Sequence, residues 1–359
     1  MKALIFSLLF LAPFTADAAV KKAPAKSVKA APAKIKKQEA NVEKRKALPG
    51  ADAPLVLTTA APNFCLFGAH SGKPFNSEAA FKSLVWKNDV IYVGETHDQP
   101  LDHLAQLEAL KAMKIARGSK IAVGFEMLNS TLQPVLDDYV SGKITEEEFL
   151  TRSDWKHEWG FDFAMYKPLF DFMIQNKLKA IALNVPHKIV SKIARAGLAG
   201  LAPEETAMLP NPVAITTHKK YVDFMKESYG GHGDSPMAKI MTFENYLTSM
   251  CAWNEGMGAR VADFVTANPG YAVLVVAGNG HVLYNAAIPA AVKARIKDVR
   301  QISFYTENAA KCPETMPKEH KDMANYMWYI NHPPKPDPAV LPNTATVPST
   351  PAAAPGKKI

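Results

Sequence analysis

Two short motifs carry the side chains that could do chemistry in this 359-residue sequence, and each directly follows an apolar run. The first is Gly94–His97 and the second is Gly278–His281. Glu95 and His97 are two residues apart, so their side chains point to the same side of an extended segment. A carboxylate beside an imidazole can orient the ring and raise its basicity, or both groups can bind a metal ion. The pattern indicates general-base chemistry or a metal site.

Two further apolar runs also end in polar residues. Glu126 follows one run, and Asn184 follows another with His187 three residues later. Because open α/β sheets bind ligands at the carboxyl ends of their strands, residues after four strands should meet at one edge. A single histidine is more often structural, whereas this convergence favours a functional site. The candidate metal ligands are Glu95, His97, Glu126 and His281, and the candidate catalytic groups are Glu95, His97 and His281.

The elements that must position these groups follow from hydrophobic patterning. Near-continuous apolar runs are typical of strands covered on both faces, and they occur at 89–93, 120–125, 179–183, 272–277 and 301–305. Helical spacing separates them at 101–113, 130–139, 145–152, 188–199 and 235–268. This alternation predicts an α/β fold with a mainly parallel sheet flanked by helices. The long helical stretch before the last motif predicts an added helical subdomain.

The ends of the chain have a different composition. Residues 1–18 have the layout of a signal peptide, with Lys2, an apolar run and a small-residue cleavage signature. Residues 19–53 are rich in Lys, Ala and Pro and are expected to be a disordered linker, and residues 327–359 a Pro-rich disordered tail. One domain is predicted over 54–326. No cysteine follows the apolar run directly, so the expected location is the periplasm or outer envelope without a lipid anchor.

The basic charge belongs to the linker. Between Val20 and Lys46, nine Lys and one Arg oppose two Glu, which gives +8, and the whole chain is also +8. Since Lys2 cancels Asp17, everything from Ala47 onward sums to zero. A nucleic-acid-binding domain would carry its basic patch on folded structure, so that class is excluded. The basic arm could contact an anionic envelope surface, or it could be a solvated linker.

The three cysteines match no zinc or haem-attachment spacing. Cys65 and Cys312 flank the domain and could form a disulfide in an oxidising compartment. Cys251 lies in an apolar helical stretch and reads as a buried thiol.

Residues 154–170 are rich in Trp, Phe and Tyr. They could line a pocket for a flat apolar ligand, with Trp155 in its wall, or they could pack a helical lid onto the sheet. Trp253 lies on a predicted helix, where core packing is the simpler interpretation.

The ordered motifs resemble the ChaN-type haem-binding uptake family, within the Tiki and erythromycin-esterase-like superfamily. The resemblance covers roughly residues 75–310, and it is carried by Val93–Asp98, Gly124–Met127, Asp162–Pro168, Ala182–Asn184, Trp253–Met257 and Gly278–His281. It implies an α/β sheet with a helical part and haem bound non-covalently between subunits of a homodimer, in bacterial iron uptake. Its superfamily relatives are instead metal-dependent proteases and esterases.

Carried onto this sequence, the resemblance makes Glu95, His97, Glu126 and His281 the superfamily site. Tyr166 becomes the best oxygen candidate for an iron ligand. The candidate haem-binding residues are His97, Glu126, Trp155, Tyr166, Asn184 and His281. Two functions remain open: a haem-binding protein with a Tyr or His axial ligand, and a hydrolase in which a histidine activates water, with or without a divalent metal.

Overall fold

A seven-stranded sheet forms the centre of the part of the chain that the computed structural model describes, which is residues 65–75, 77–231 and 241–330. The strands are β1 Cys65–Gly68, β2 Val90–Glu95, β3 Ile121–Asn129, β4 Lys179–Asn184, β5 Ala272–Gly278, β6 Gln301–Asn308 and β7 Tyr326–Ile330. Their order is β1-β7-β6-β2-β5-β3-β4. Every neighbouring pair is parallel except β1 and β7, which are antiparallel.

Eleven α-helices connect these strands within the described ranges. They are α1 Glu78–Lys87, α2 Pro100–Arg117, α3 Gln133–Val140, α4 Glu146–Arg152, α5 Trp155–Glu158, α6 Phe163–Asn176, α7 His187–Ala196, α8 Pro203–Thr206, α9 Lys219–Gly231, α10 Phe243–Ala267 and α11 Ile288–Arg295. The long helix α10 packs against α7, α9, α11 and β4. None of the described helices is long and apolar enough to cross a membrane.

The predicted fold class is confirmed. Strands β2 and β5 are buried along their whole length, because helices cover both faces of the sheet and leave no side for polar alternation. The five apolar runs identified in the sequence became β2, β3, β4, β5 and β6. The helices α7 to α10 form the added helical part, and the described portion of the long predicted helix begins at Phe243.

The sheet continues beyond the predicted end of the domain. Strand β7 runs from Tyr326 to Ile330 and buries Trp328 and Tyr329. A boundary at residue 326 is therefore too early, because the aromatic run of β7 is too short to stand out beside the Pro-rich composition that follows it. The predicted signal peptide, the linker and the tail from residue 331 lie outside the described residues.

The disulfide that the cysteine positions left open is present. Cys65 in β1 is bonded to Cys312 in the connection between β6 and β7, with a Cα–Cα distance of 5.7 Å. The bond ties the antiparallel edge strand to the body of the sheet. Cys251 is a buried free thiol, as predicted.

Candidate functional site

The four strand ends named in the sequence lie side by side, because β2, β5, β3 and β4 are consecutive in the sheet. Glu95 ends β2 and is in register with Gly278, which ends β5. Glu126 lies in β3, which continues to Asn129 with an irregularity in its pairing after Phe125. The sequence placed the end of that strand at Glu126, three residues too early. The convergence of polar groups at one edge is confirmed.

Glu95 is the centre of the first buried cluster. Its Oε1 accepts hydrogen bonds from Nδ1 of His97 and from the hydroxyl of Tyr166, both at 2.8 Å. Its Oε2 accepts one from Nε2 of Gln106 at 2.7 Å and lies 3.4 Å from Nδ1 of His103. Four donors around one buried carboxylate stabilise its ionised form. The clustered side chains therefore fix both the charge and the orientation of Glu95.

The ionised forms of Glu95 and His97 stabilise each other. Burial alone would raise the pKa of Glu95, but the charges and hydrogen bonds of His103 and His97 outweigh it and lower that pKa. Burial alone would lower the pKa of His97, but its hydrogen bond to Glu95 and the charges of Glu126 and Glu95 raise it overall. Because an ionised carboxylate only accepts hydrogen bonds, Nδ1 of His97 carries the proton. In the neutral ring the lone pair then lies on Nε2, for which the structure shows no partner among the described residues.

A second carboxylate–imidazole pair lies one strand away. Nε2 of His281 lies 3.1 Å from Oε1 of Glu126, and Nδ1 of His281 lies 2.7 Å from Oδ1 of Asn254. The amide of Asn254 donates to the hydroxyl of Tyr221 at 2.9 Å. All four side chains are buried. Burial raises the pKa of Glu126, but the charge and hydrogen bond of His281 outweigh it and lower the pKa.

Gly278 lies between the two pairs. Its amide donates to Oε2 of Glu126 at 2.5 Å. A Cβ atom at this position would lie 2.7 Å from Cε1 of His97, closer than real Cβ atoms approach, and 3.0 Å from its Nε2. Glycine is therefore required so that the His97 ring can lie against the end of β5. The Gly94 position is similarly tight, because a Cβ there would overlap the amide of Asn279.

The aromatic segment divides into two parts. Trp155 and Tyr166 are buried, so their rings pack the helical lid, as one of the two sequence interpretations expected. The hydroxyl of Tyr166 donates to Glu95 and accepts from Nε1 of Trp159 at 3.0 Å. Its phenol oxygen therefore has two hydrogen-bond partners, the carboxylate of Glu95 and the indole of Trp159. In this arrangement the hydroxyl supports Glu95.

Trp159 and Phe161, by contrast, lie at the surface of the site. Their ring centroids are 4.7 and 5.1 Å from that of His97. The side chain of His97 is 15% exposed, whereas Glu95 beside it is fully buried. His97 is therefore the member of the first pair that faces outward.

The remaining predicted residues have structural contacts. Asn184 donates to the carbonyl of Glu126 at 2.8 Å and accepts from the amide of Val185, so it fixes the ends of β3 and β4. His187 begins α7 and lies 3.4 Å from the hydroxyl of Ser191. Burial lowers the pKa of His187, and its contacts do not join it to either carboxylate pair.

Three buried polar residues of α2 were not identified from the sequence. His103 and Gln106 contact Glu95, and Asp102 accepts from the amide of Thr96 at 2.7 Å. Their spacing of three and four residues places them on one helical face, and that face also carries the apolar residues of α2. The sequence signal that could have identified them is the presence of polar side chains on the apolar face of the helix that follows the first motif.

The donor set can be compared with the two expected ligands. No group of three or more His, Cys, Asp or Glu side chains is arranged to hold a metal ion within the described ranges. The four predicted metal ligands instead form two carboxylate–imidazole pairs, in which each carboxylate is satisfied by donors from the protein. Of the four, the side chain of His97 is the most exposed, at 15%.

Solved structures show which folds this chain resembles. It is 19% identical to the ChaN of Campylobacter jejuni, whose structure is titled for cofacial heme binding, with a TM-score of 0.56 over 75% of this chain and 98% of that one. An erythromycin esterase mutant in its open conformation is 13% identical, with a TM-score of 0.40 over 68% of this chain and 77% of that one.

A plant protein is similar in sequence. Protein RETICULATA-RELATED 5, chloroplastic, of Arabidopsis thaliana is 23% identical over 269 residues, which is 69% of this chain. The match spans 35% of the plant protein, so this chain corresponds to about a third of that relative. The family model described as haem-binding uptake, Tiki superfamily, ChaN matches residues 84–292 of this chain. These residues hold both motifs and both carboxylate–imidazole pairs. This chain is therefore a member of the ChaN haem-binding uptake family.

Proposed function

We propose that this chain is an exported protein that binds haem non-covalently, with His97 as the axial ligand. The observation that carries the proposal is the unpartnered Nε2 of an outward imidazole whose Nδ1 is held by Glu95 at 2.8 Å. An axial histidine needs this arrangement, because the hydrogen bond at one ring nitrogen fixes the tautomer and raises the basicity of the other. Family membership supports haem as the ligand.

The surroundings of His97 suit a flat aromatic ligand. Haem, when bound, would supply an iron that accepts the Nε2 lone pair. Phe161 would offer its ring to the porphyrin. The protein's own contribution is to orient the imidazole through Glu95 and to keep that carboxylate ionised through Gln106 and His103.

The sequence has no C-x-x-C-H motif, which supports non-covalent attachment of the haem. A haem at an outward imidazole would leave one porphyrin face open to solvent. A second copy of the chain could cover that face, and the Campylobacter relative, titled for cofacial heme binding, is consistent with such a homodimer. We include a homodimer in the proposal for this reason.

Export and a role in haem or iron uptake belong to the same proposal. The first 18 residues have the layout of a signal peptide. A disulfide between Cys65 and Cys312 suits an oxidising compartment such as the periplasm or outer envelope. The basic arm would then meet anionic envelope surfaces.

Haemin titration of the purified chain tests the proposal. We expect a shifted Soret band that saturates at stoichiometric haemin, and we expect His97→Ala to weaken binding more than His187→Ala. The second variant is a matched control, because His187 is also partly buried at the sheet end but lies outside both pairs. Absence of a shifted band would refute haem binding, and equal effects of the two variants would refute the ligand assignment.

A hydrolase is the second candidate, and the same pair favours it. A carboxylate that holds Nδ1 of a histidine leaves Nε2 able to take a proton from water or a nucleophile. In a metal-dependent hydrolase, the side chains of Glu95, His97, Glu126 and His281 would have to exchange the contacts within their pairs for bonds to the metal ion. Ester and peptide hydrolysis, assayed with and without added divalent metal, tests this candidate, and activity unaffected by His97→Ala would exclude a role for the pair.

A further inference from the structure

The rings of Trp159 and Phe161 pack against the imidazole of His97, with centroid distances of 4.7 and 5.1 Å. The Trp159 ring meets it edge to face, with an interplanar angle of 77°. The Phe161 ring is tilted by 46°. Both residues are themselves only partly buried, and the side chain of His97 is 15% exposed. A ligand as wide as a porphyrin cannot reach Nε2 while both rings stay in place.

Phe161 and Trp159 differ in the hydrogen bonds that hold them in place. The carbonyl of Phe161 accepts from the indole N–H of the buried Trp155 at 2.8 Å. Asp162, next in the chain, caps α6 by accepting from the amide of Ala164 at 2.9 Å. These two bonds fix the backbone at Phe161 to the lid.

Trp159 has one side-chain hydrogen bond, from Nε1 to the hydroxyl of Tyr166 at 3.0 Å. Gly160 follows it with φ of +84°, a conformation that glycine adopts without strain. The indole thus directly precedes a glycine, and one neutral hydrogen bond plus ring contacts hold it against His97.

We propose that the Trp159 indole is the gate of the His97 site, and that it must swing away before a flat ligand reaches Nε2. The ligand named here rests on the proposed haem function, whereas the gate rests on the geometry. Opening breaks the bond between Trp159 and Tyr166, but the Tyr166 hydroxyl remains the donor to Glu95. The carboxylate–imidazole pair therefore stays in place while the gate moves.

A closed gate slows haemin binding and reduces its apparent affinity, because only the open fraction of molecules can bind. Losing the indole removes that equilibrium. We therefore expect Trp159→Ala to bind haemin about tenfold faster than the unchanged protein, since one hydrogen bond and one aromatic contact are of the size that gives a tenfold change. Trp159→Phe keeps a ring but loses the N–H donor, and it should fall between the two.

The gate can be tested without haem by chemical modification of histidine with diethylpyrocarbonate, followed by peptide mass spectrometry. His70, whose side chain is 90% exposed, is the internal standard in every sample. In the unchanged protein His97 should react at least about tenfold more slowly than His70, following its burial. In Trp159→Ala the His97 rate should approach that of His70, and Trp159→Phe should give a smaller increase.

Trp86→Ala is the matched control, because this indole is 58% exposed on α1 and its loss should leave the His97 rate unchanged. Should Trp159→Ala lose its native circular dichroism, Trp159→Phe carries the test alone. An unchanged His97 rate in a folded Trp159 variant overturns the gate.

Stopped-flow mixing with haemin separates the two proposals. If the unchanged protein binds no haemin but Trp159 variants unmask His97, the haem function fails and the gate stands. If haemin binds, and neither its rate nor the His97 modification rate rises in the Trp159 variants, the gate fails and the haem function stands.

Discussion

The His97 ring lies in the space that a side chain on Gly278 would fill, since a Cβ there would come within 2.7 Å of Cε1. The backbone at Gly278 has φ of −55° and ψ of 146°, which any residue can adopt. The glycine is therefore required by its neighbour and not by its own conformation. This relationship connects the end of β5 directly to the outward imidazole.

Gly278→Ala should consequently displace His97 while leaving the sheet intact. We expect haemin binding to weaken at least about tenfold and the free energy of unfolding to fall by about 1–3 kcal/mol, the range for an inserted methyl group in a packed region. Gly280→Ala is the control, because no atom lies within 4 Å of a Cβ at that position. Titration and urea unfolding measure both effects. Equal losses in the two variants would show that His97 is not positioned by Gly278.

Glu95→Gln should disrupt the first cluster. The amide replaces one acceptor oxygen with a donor, so it cannot accept from His97, Tyr166 and Gln106 together. Breaking a buried ion pair by changing one partner costs about 3–5 kcal/mol of unfolding free energy. The pKa of His97 should also fall, because the hydrogen bond that raises it is weakened. Urea unfolding and an NMR pH titration of His97 give the two readouts.

Glu307→Gln is the matched change for this experiment. Glu307 is the penultimate residue of β6, at the same edge of the sheet, and burial raises its pKa. Neutralising it should leave stability unchanged or raise it slightly. A similar loss in both variants would mean that the cost at Glu95 comes from the amide itself and not from the cluster.

Asp102 predicts a pH dependence of stability. Burial, the leading cause, raises its pKa from the ordinary 3.8 to about 7. The folded state therefore binds more protons than the unfolded state between those values, so stability is greatest at the acidic end and falls as pH rises to about 7. His97 and His103, whose pKa values are also raised, lose stability in the same direction.

Asp102→Asn isolates the carboxyl contribution. The variant keeps an acceptor for the Thr96 amide and cannot titrate. Between about pH 5 and about pH 8, the unchanged protein should lose about 3 kcal/mol more than the variant, at 1.36 kcal/mol per pKa unit. Urea unfolding at both pH values measures this difference. Parallel losses in the two proteins would show that Asp102 does not titrate in this window.

Much of the fold could be predicted because parallel strands buried on both faces leave continuous apolar runs. The run before Glu95 and the run before Gly278 are neighbours in the sheet, and their polar ends meet as expected. The other contacts of the site depend on tertiary packing. Nothing in the local pattern says that His103 and Gln106 turn towards Glu95, because a helix can place buried polar residues against several partners.

The aromatic segment shows the same limit. Composition places Trp155, Trp159, Phe161 and Tyr166 within one short stretch, but it cannot say which rings face the site. Trp155 and Tyr166 are buried in the core, whereas the rings of Trp159 and Phe161 contact His97, and left-handed residues at Asp154 and Gly160 interrupt this segment. Turn geometry of this kind depends on the packed lid and is not specified by hydrophobic spacing.

The outer edge of β4 ends the sheet, and the side chain of Gln133 covers it as another strand would. Its amide accepts from the N–H of Ala182 at 2.9 Å and donates to the carbonyl of Ala180 at 3.0 Å. Arg260 completes the cover, with Nε donating to the carbonyl of Ala182 at 3.2 Å and Nη2 to the Gln133 oxygen at 3.0 Å. These bonds satisfy backbone groups that would otherwise pair with another chain.

Removing both covering side chains should therefore make the protein associate through β4. We expect Gln133→Ala with Arg260→Ala to form dimers or larger species as concentration rises, measured by size-exclusion chromatography with light scattering. Arg295→Ala is the control, because its guanidinium also donates to a carbonyl, that of Ala291, but on helix α11 away from any strand edge. If the double variant unfolds more readily but its mass does not change with concentration, Gln133 and Arg260 stabilise the edge without protecting it from other chains.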